Sequence, residues 1–435
     1  MTTTKNNEHK KLNFSSEREQ SQACLNSAEH EKNQGRKVLN VPNLRFKEFQ
    51  GEWKRTIFKN VITLQRGSSP RPIIEYVTTS DDGVNWIKIG DMPHFGRIVT
   101  STEEKITKEG AKKSRQVNKG DLILSNSMSY GLPYIMGIDG YIHDGWFVLK
   151  NFENTFDKDY LCNLLISSAI QNQYKRLAAG GVVQNISSDL VNSVSVSIPT
   201  MMEQKKISSL LNLIDERIAT QNKIIEDLKM LKSAIIENVF DDKHSERLQL
   251  DNVGSYIRGL TYSSNDVVEH GGTLVMRSNN IVNGSLLDYN NNVVFVNKQM
   301  SAEQQLQNGD IVICMANGSS SLVGKSSFYD GNCHSPITVG AFCGIYRSKE
   351  PIVKWLFQTN KYRRYIWNSL QGGNGAIANL NGEDILNMSF SIPNAPIKDT
   401  CVKMLTSVDS ALGNNMSLCA LYTLQKQHLL RQMFI

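Results

Sequence analysis

The residues most suggestive of chemistry are Gly318-Ser319-Ser320-Ser321-Leu322-Val323-Gly324-Lys325-Ser326, which follow the apolar run Ile311 to Met315. A glycine-rich turn carrying a lysine and a hydroxyl after a strand would cradle phosphates through its backbone N–H groups. The spacing argues against it: five residues separate these glycines, where the phosphate-binding motif has four. Ser327-Phe328-Tyr329-Asp330-Gly331 also opens no helix whose N-terminus could receive an anion. The segment reads as a Gly/Ser loop. The sequence contains no H-E-x-x-H, no G-x-S-x-G, no G-x-G-x-x-G and no Asn-Pro-Pro-aromatic phrase. The eight histidines never pair at ligand spacing, so His94, His143 and His334 read as polar loop or packed residues, and no metal is expected. Seven scattered cysteines without a C-x-x-C pair fit reduced thiols better than disulfides or zinc.

What remains is surface chemistry. Lys105, Lys108, Lys112, Lys113, Arg115 and Lys119 crowd one stretch, and Lys349, Lys354, Lys361, Arg363 and Arg364 crowd another, interleaved with Trp355, Tyr362, Tyr365 and Trp367. Basic side chains suit phosphates, and arginines and amides suit base edges, although a solvated helix face gives the same pattern. The net charge of +6 leans mildly toward polyanions. It is uneven: residues 41–200 hold 19 basic against 16 acidic residues, and residues 241–396 hold 12 against 13. A nucleic-acid surface in the second segment must therefore come from clustering.

The elements that would position such residues are duplicated. Asn185-Ile186 leading to Ser197-Ile198-Pro199 returns, 194 residues later, as Asn379-Leu380 leading to Ser391-Ile392-Pro393. Phe58-Lys59-Asn60-Val61 with Arg66-Gly67 is echoed by Leu250-Asp251-Asn252-Val253 with Arg258-Gly259. Asn118-Lys119-Gly120-Asp121-Leu122-Ile123-Leu124 is echoed by Asn308-Gly309-Asp310-Ile311-Val312-Ile313. Short apolar runs between turn residues (Trp86 to Ile89, Asp121 to Leu124, Gly145 to Leu149) read as strands, and Tyr160 to Leu177 and Trp355 to Leu370 as helices. The drift of the offsets implies one scaffold whose loops diverged. At 435 residues the chain is long enough for two globular units plus connectors. The expected organisation is a disordered leader over 1–40, globular domains over 41–200 and 241–396, and helices over 201–240 and 397–435. No apolar run of membrane-spanning length and no signal-peptide core occurs, so a cytoplasmic protein without a membrane partner is expected.

Each connector helix carries a heptad seam. In the first, Ile207, Leu211, Ile214, Ile218, Gln221, Ile225, Leu228, Lys232, Ile235 and Val239 step by fours and threes. Cys401, Leu405, Val408, Leu412, Asn415, Cys419, Tyr422, Lys426, Leu429 and Met433 repeat the phase, with polar interruptions at matching places. Antiparallel pairing that sets polar against polar would oppose Gln221 to Lys426 and Lys232 to Asn415. The same register sets Ile225 on Tyr422, Leu228 on Cys419 and Ile218 on Leu429. Ile214 and Leu412 complete the expected interface.

Together the repeat, the seam, Asn43-Leu44-Arg45-Phe46 with Trp53, the Gly-Asp-strand phrases, the Ser-Ile-Pro boundaries and Glu203-Gln204-Lys205-Lys206-Ile207 resemble the specificity subunits of type I restriction-modification enzymes. The resemblance covers residues 41–435. It implies an α/β (α+β) chain: two similar target-recognition domains in a pseudo-two-fold arrangement, separated by an antiparallel two-helix coiled coil. It also implies a subunit that is not catalytic and holds no cofactor. Its expected partners are double-stranded DNA, two modification (methyltransferase) subunits and translocating restriction subunits, those subunits using S-adenosylmethionine, ATP and magnesium. About 30 helical residues at about 1.5 Å span about 45 Å, or about 13 base pairs at about 3.4 Å per step, which suits two half-sites and a gap. For the first half-site the candidate contacts are Arg66, Ser68, Arg71, Lys88, Asn126, Ser127, Tyr130 and Gln184. For the second they are Arg258, Tyr262, Arg277, Asn279, Asn317, Ser319, Lys325 and Asn374. The competing readings are a pseudo-symmetric protein–protein adaptor without DNA specificity, and a nucleotide-using enzyme centred on Lys325.

Overall fold

The computed structural model describes residues 39–93, 96–127, 131–178, 185–240, 246–371 and 378–435. The 1–38 part of the expected leader, His94, Tyr130, Gln184 and Asn374 lie outside the described residues. The chain divides into two compact units, Met1–Ala219 with Leu421–Ile435, and Thr220–Ala420. Each unit therefore takes one copy of the repeated fold together with one end of each long helix.

The first unit contains β1 (Lys54–Ile57), β2 (Thr63–Arg66), β3 (Val77–Thr78), β4 (Val84–Ile87), β5 (Ile98–Val99) and β6 (Glu104–Ile106). It continues with β7 (Arg115–Val117), β8 (Leu122–Ser125), β9 (Pro133–Met136), β10 (Gly140–Ile142), β11 (Trp146–Lys150) and β12 (Ser195–Ile198). One sheet runs β2-β11-β8-β9-β5, a second runs β3-β6-β4-β10-β7, and β1 pairs β12 antiparallel. The helices Lys158–Ile166 and Ser168–Ala178 bury Tyr160, Leu161, Leu164, Leu165, Ile170 and Tyr174 against the first sheet.

The second unit contains β13 (Glu246–Gln249), β14 (Gly254–Arg258), β15 (Val267–Val268), β16 (Thr273–Met276), β17 (Val294–Val296) and β18 (Ile311–Cys314). It ends with β19 (Ala316–Asn317), β20 (Ser326–Phe328), β21 (Ile337–Val339), β22 (Cys343–Ser348), β23 (Ala378–Asn379) and β24 (Ser389–Ile392). Its sheets run β14-β22-β18-β20 and β15-β17-β16-β21, with β13 on β24 and β19 on β23. The sequence repeat is thus a repeat of topology. In both units an otherwise antiparallel sheet holds one parallel contact at the same place, β4 with β10 and β16 with β21.

Two long helices complete the chain, Met201–Val239 and Ala395–Gln432. Pro199 follows β12, and the Thr200 hydroxyl accepts from the Glu203 N–H at 3.3 Å, so a strand stop and a helix cap sit side by side. The phrase that carried the family resemblance has a structural task here. Arg45 donates to both oxygens of the fully buried Glu203 at 2.7 and 2.8 Å, and Trp53 donates to the same carboxylate at 3.3 Å. Gln204, also buried, accepts from the Asp157 N–H and donates to the Thr155 and Pro199 carbonyls. The start of the first unit is pinned to the start of its helix.

None of the twenty seam residues is exposed, whereas their helical neighbours mostly are. The period was therefore a correct guide to the buried face, but the register differs from expectation. Gln221 donates to Asn415, its own counterpart in the repeat, rather than facing Lys426. Lys426 donates instead to Asp215, and Lys232 forms an ion pair with Asp409 at 2.8 Å rather than meeting Asn415. Tyr422 lies under the Arg217 guanidinium at 5.8 Å, and Cys419 lies 3.4 Å from Asn222. The physical reason is charge: a buried or largely buried ammonium is better compensated by a carboxylate than by an amide. Both aspartates sit one step past a seam position and look solvent-facing in the sequence.

Each aspartate also pairs with a basic residue of its own unit. Arg97 reaches Asp215 at 2.8 Å in the first unit, and Lys354 reaches Asp409 at 3.1 Å in the second. Burial depresses the pKa of Lys232 and of Lys426, with the facing aspartate acting in the opposite sense in each case. Ile207, Leu211, Leu430, Met433 and Phe434 join the core of the first unit, and Ile236, Phe240 and Leu405 join that of the second.

Candidate nucleic-acid interface

In the first unit the ends of β2, β4, β8 and β10 converge on one tight turn, His143-Asp144-Gly145-Trp146, closed by the Trp146 N–H on the His143 carbonyl at 3.3 Å. Gly67 explains why an Arg-Gly phrase ends β2. A Cβ there would lie 2.0 Å from the His143 carbonyl oxygen, so only glycine lets the chain pass. Arg66 is exposed and its Nε donates to the Asp144 carbonyl at 3.3 Å. Ser68 donates to the Lys113 carbonyl at 3.1 Å, which brings Lys113 and Arg115 of the first basic stretch alongside, Arg115 donating to the Arg66 carbonyl at 3.2 Å. Arg71 is 81% exposed and pairs with Asp144 at 3.3 Å.

Asp144 was not singled out in the sequence, yet it organises the turn. The Ser69 hydroxyl donates to it at 2.8 Å, and chiefly this bond holds the carboxylate below its usual range. His143 is held neutral in the same turn: its Nδ1 accepts from the Gly145 N–H at 2.7 Å, and burial between Trp86 and Trp146 lowers its pKa.

The remaining candidates of the first unit divide. Ser127 is partly buried beside the turn. Asn126 is 3% exposed; its side chain donates to the Asp144 carbonyl at 2.8 Å and its own carbonyl accepts from Ile186. It shapes the turn instead of facing solvent, a correction to its assignment as a base contact. Lys88 directly follows β4, but its ammonium is paired with Glu104 at 2.7 Å, which raises its pKa.

The second unit builds the same place with other side chains. Arg258 ends β14 and is exposed, and a Cβ on Gly259 would lie 2.2 Å from the Gly340 carbonyl oxygen. The equivalent turn is Gly340-Ala341-Phe342-Cys343, closed by the Cys343 N–H on the Gly340 carbonyl at 2.8 Å. The Tyr262 ring packs beside Gly340. Arg277 occupies the place of Lys88. Each precedes a short 3-10 turn whose third residue accepts the preceding N–H, Asp91 at 2.6 Å and Asn280 at 2.9 Å. Arg277 and Asn279 are exposed, and the Arg277 guanidinium reaches the Asn292 carbonyl at 3.4 Å. Asn317, on β19, donates to Ser278 at 3.2 Å and accepts from the Ser319 N–H at 3.0 Å.

The Gly318–Ser326 loop runs through a single 3-10 turn (Ser320–Leu322) directly into β20. Lys325 therefore directly precedes a strand, not a helix, and its N–H is bonded to the Leu322 carbonyl at 3.3 Å. The second basic stretch is an amphipathic helix, Asn360–Gln371, with a preceding turn. Trp355 and Tyr362 are core, Lys354 is held by Asp409, and Arg363, Arg364 and Trp367 are exposed. Among the described residues no group of three or more His, Cys, Asp or Glu side chains could hold a metal ion, and no helix is long and apolar enough to cross a membrane.

Residues 24–230 match the family model described as the type I restriction modification DNA specificity domain. The chain is 35% identical to the EcoKI specificity subunit of Escherichia coli over 155 residues, an alignment that takes in 33% of this chain and 31% of that relative. It is 22% identical to the StySPI specificity subunit of Salmonella potsdam over 80% of this chain and 79% of the relative. In fold it is similar to the type I restriction-modification S subunit from M. genitalium, with a TM-score of 0.55 at 14% identity, covering 91% of this chain and 99% of that one.

Proposed function

We propose that this chain, similar over residues 24–230 to the type I restriction modification DNA specificity domain, is the DNA-reading member of a type I restriction-modification complex, each unit recognising one half of a bipartite target. The observation that carries this reading is the duplicated strand-end cluster. In both units an Arg-Gly phrase passes a tight turn at the convergence of several strands, and exposed basic and amide side chains surround it. Such a surface combines positioning groups for phosphates with donors and acceptors for base edges. The framework is repeated and the side chains are not. One scaffold with two lining sets is what two different half-sites require.

The long helices would hold two modification subunits and set the gap between half-sites. With 39 and 38 residues they are about 58 and 57 Å long at about 1.5 Å per residue. Catalysis, and the use of S-adenosylmethionine, ATP and magnesium, would rest with the modification and restriction subunits. Duplex binding by the chain with its modification subunits, measured against salt, tests the reading. Several phosphate contacts predict a steep fall of affinity with log salt. Affinity independent of both salt and sequence would reject it and favour a protein–protein adaptor.

A further inference from the structure

The two turns at the centres of the two clusters are equivalent in backbone and opposite in chemistry. In the first, Asp144 presents a carboxylate held by Ser69 and Arg71, and Gly145 follows it. A Cβ on Gly145 would lie 2.2 Å from the His143 ring, so no side chain fits there. In the second, Ala341 and Phe342 take these places, and Phe342 is 68% exposed.

A single exposed apolar residue needs no explanation in general, but this one is unusually fixed. The Phe342 carbonyl accepts from the N–H groups of both Met315 and Ala316, at 2.9 and 3.1 Å, and the turn is closed by Cys343 on Gly340. Its flanks, Gly340 and Cys343, are buried. The ring thus stands on a fixed backbone at a strand end, where the neighbouring chain carries hydrogen-bonding residues: Arg258 pairs in register with Gly344, Arg277 follows the Met276 carbonyl that accepts from Gly340, and Asn317 follows Ala316. Rigidity matters because a preorganised aromatic loses little entropy on contact.

Apolar contact at a base edge in the major groove has one natural target, the C5-methyl of thymine. Resting on the DNA-reading role given above, we infer that Phe342 reads a thymine methyl in the half-site of the second unit, a contact the first unit cannot make because Gly145 stands in its place.

The test replaces each thymine of the second half-site singly by deoxyuracil, which removes only the methyl, and measures duplex binding by the full chain with its modification subunits. Wild type loses about fourfold at one position, the factor corresponding to about 0.8 kcal/mol for one buried methyl. Phe342→Ala binds the thymine duplex more weakly by at least that factor and ignores the substitution, while Phe342→Leu keeps part of the discrimination. The ring is exposed, so Phe342→Ala is expected to fold, and an unchanged unfolding midpoint checks it.

Discrimination against a scrambled second half-site without sensitivity to any deoxyuracil refutes the methyl contact alone. A half-site lacking A·T pairs, a Phe342→Ala variant that stays deoxyuracil-sensitive, or bound-state unstacking reported by 2-aminopurine and lost in Phe342→Ala, as for an inserted wedge, also overturns it. No discrimination by wild type refutes the DNA-reading role and this inference with it.

Discussion

Removing the Asp409 carboxylate should destabilise the second unit by about 3 kcal/mol, the low end of the range for breaking a buried ion pair. Lys232 is 8% exposed and lies 2.8 Å from Asp409, whose other oxygen is 3.1 Å from Lys354. In Asp409→Ala these two ammonium groups would share the site without a counter-charge. Lys232 keeps its bond to the Gly284 carbonyl at 2.9 Å and its place over the Trp355 ring, which argues for the low end. With a urea slope of about 2–3 kcal/mol/M, the midpoint should fall by about 1 M.

The pH dependence has a definite sign. Burial already places the Lys232 pKa below its unfolded value, and losing the aspartate lowers it further. The penalty is therefore full below the folded pKa and fades as pH rises through it toward the unfolded value of about 10.5. Lys232→Met combined with Asp409→Leu should recover stability to within about 1 kcal/mol, because it removes the more deeply buried ammonium and leaves only Lys354, 27% exposed, without its aspartate. Asp215→Ala should cost the first unit less, since Asp215 is 31% exposed against 14% for Asp409. A midpoint shift below about 0.3 M for Asp409→Ala, or a double variant as unstable as the single one, would refute the reasoning.

Other outcomes are as specific. Gly67→Ala or Gly259→Ala drives a methyl into a backbone carbonyl; each should destabilise its unit by about 1–3 kcal/mol in urea unfolding and weaken recognition of its own half-site. Arg71→Ala and Arg277→Ala should each weaken binding to one half-site by about 1–3 kcal/mol while leaving the other intact, measured by competition with half-scrambled duplexes. Equal loss on every duplex would count against direct readout. Inserting one heptad into both long helices adds about 10 Å, so the gap in the methylated motif should lengthen by about three base pairs.

Much of this fold was legible because periodicity and repetition are strong signals. The twenty seam positions follow from fours and threes, and the Arg-Gly phrases mark equivalent strand ends. The seam register was not legible, because it depends on Asp215 and Asp409, which sit beside the seam and whose pairs with Lys426 and Lys232 are shared with Arg97 and Lys354, distant in sequence. The strand-end sites were half legible. Exposed arginines were found by type, but Asn126 and Ser127 are neighbours of the same polar class, and only the fold shows that one is buried. Asp144 gave no signal, since Ser69 and Arg71 reach it across more than 70 residues. Phe342 lies between Val339 and Cys343 and reads as part of an apolar strand until the turn is seen.

The central claim is that two units of one scaffold read two separate half-sites. Long-read methylome sequencing of a host carrying the cognate modification subunit, with this chain or with its Gly340–Cys343 turn and Arg277 replaced, tests it most directly. The expected result is a two-part methylated motif with an unspecified gap, in which the replacement alters or erases one half and leaves the other half unchanged. A continuous motif, a change in both halves at once, or methylation indifferent to this chain would contradict it.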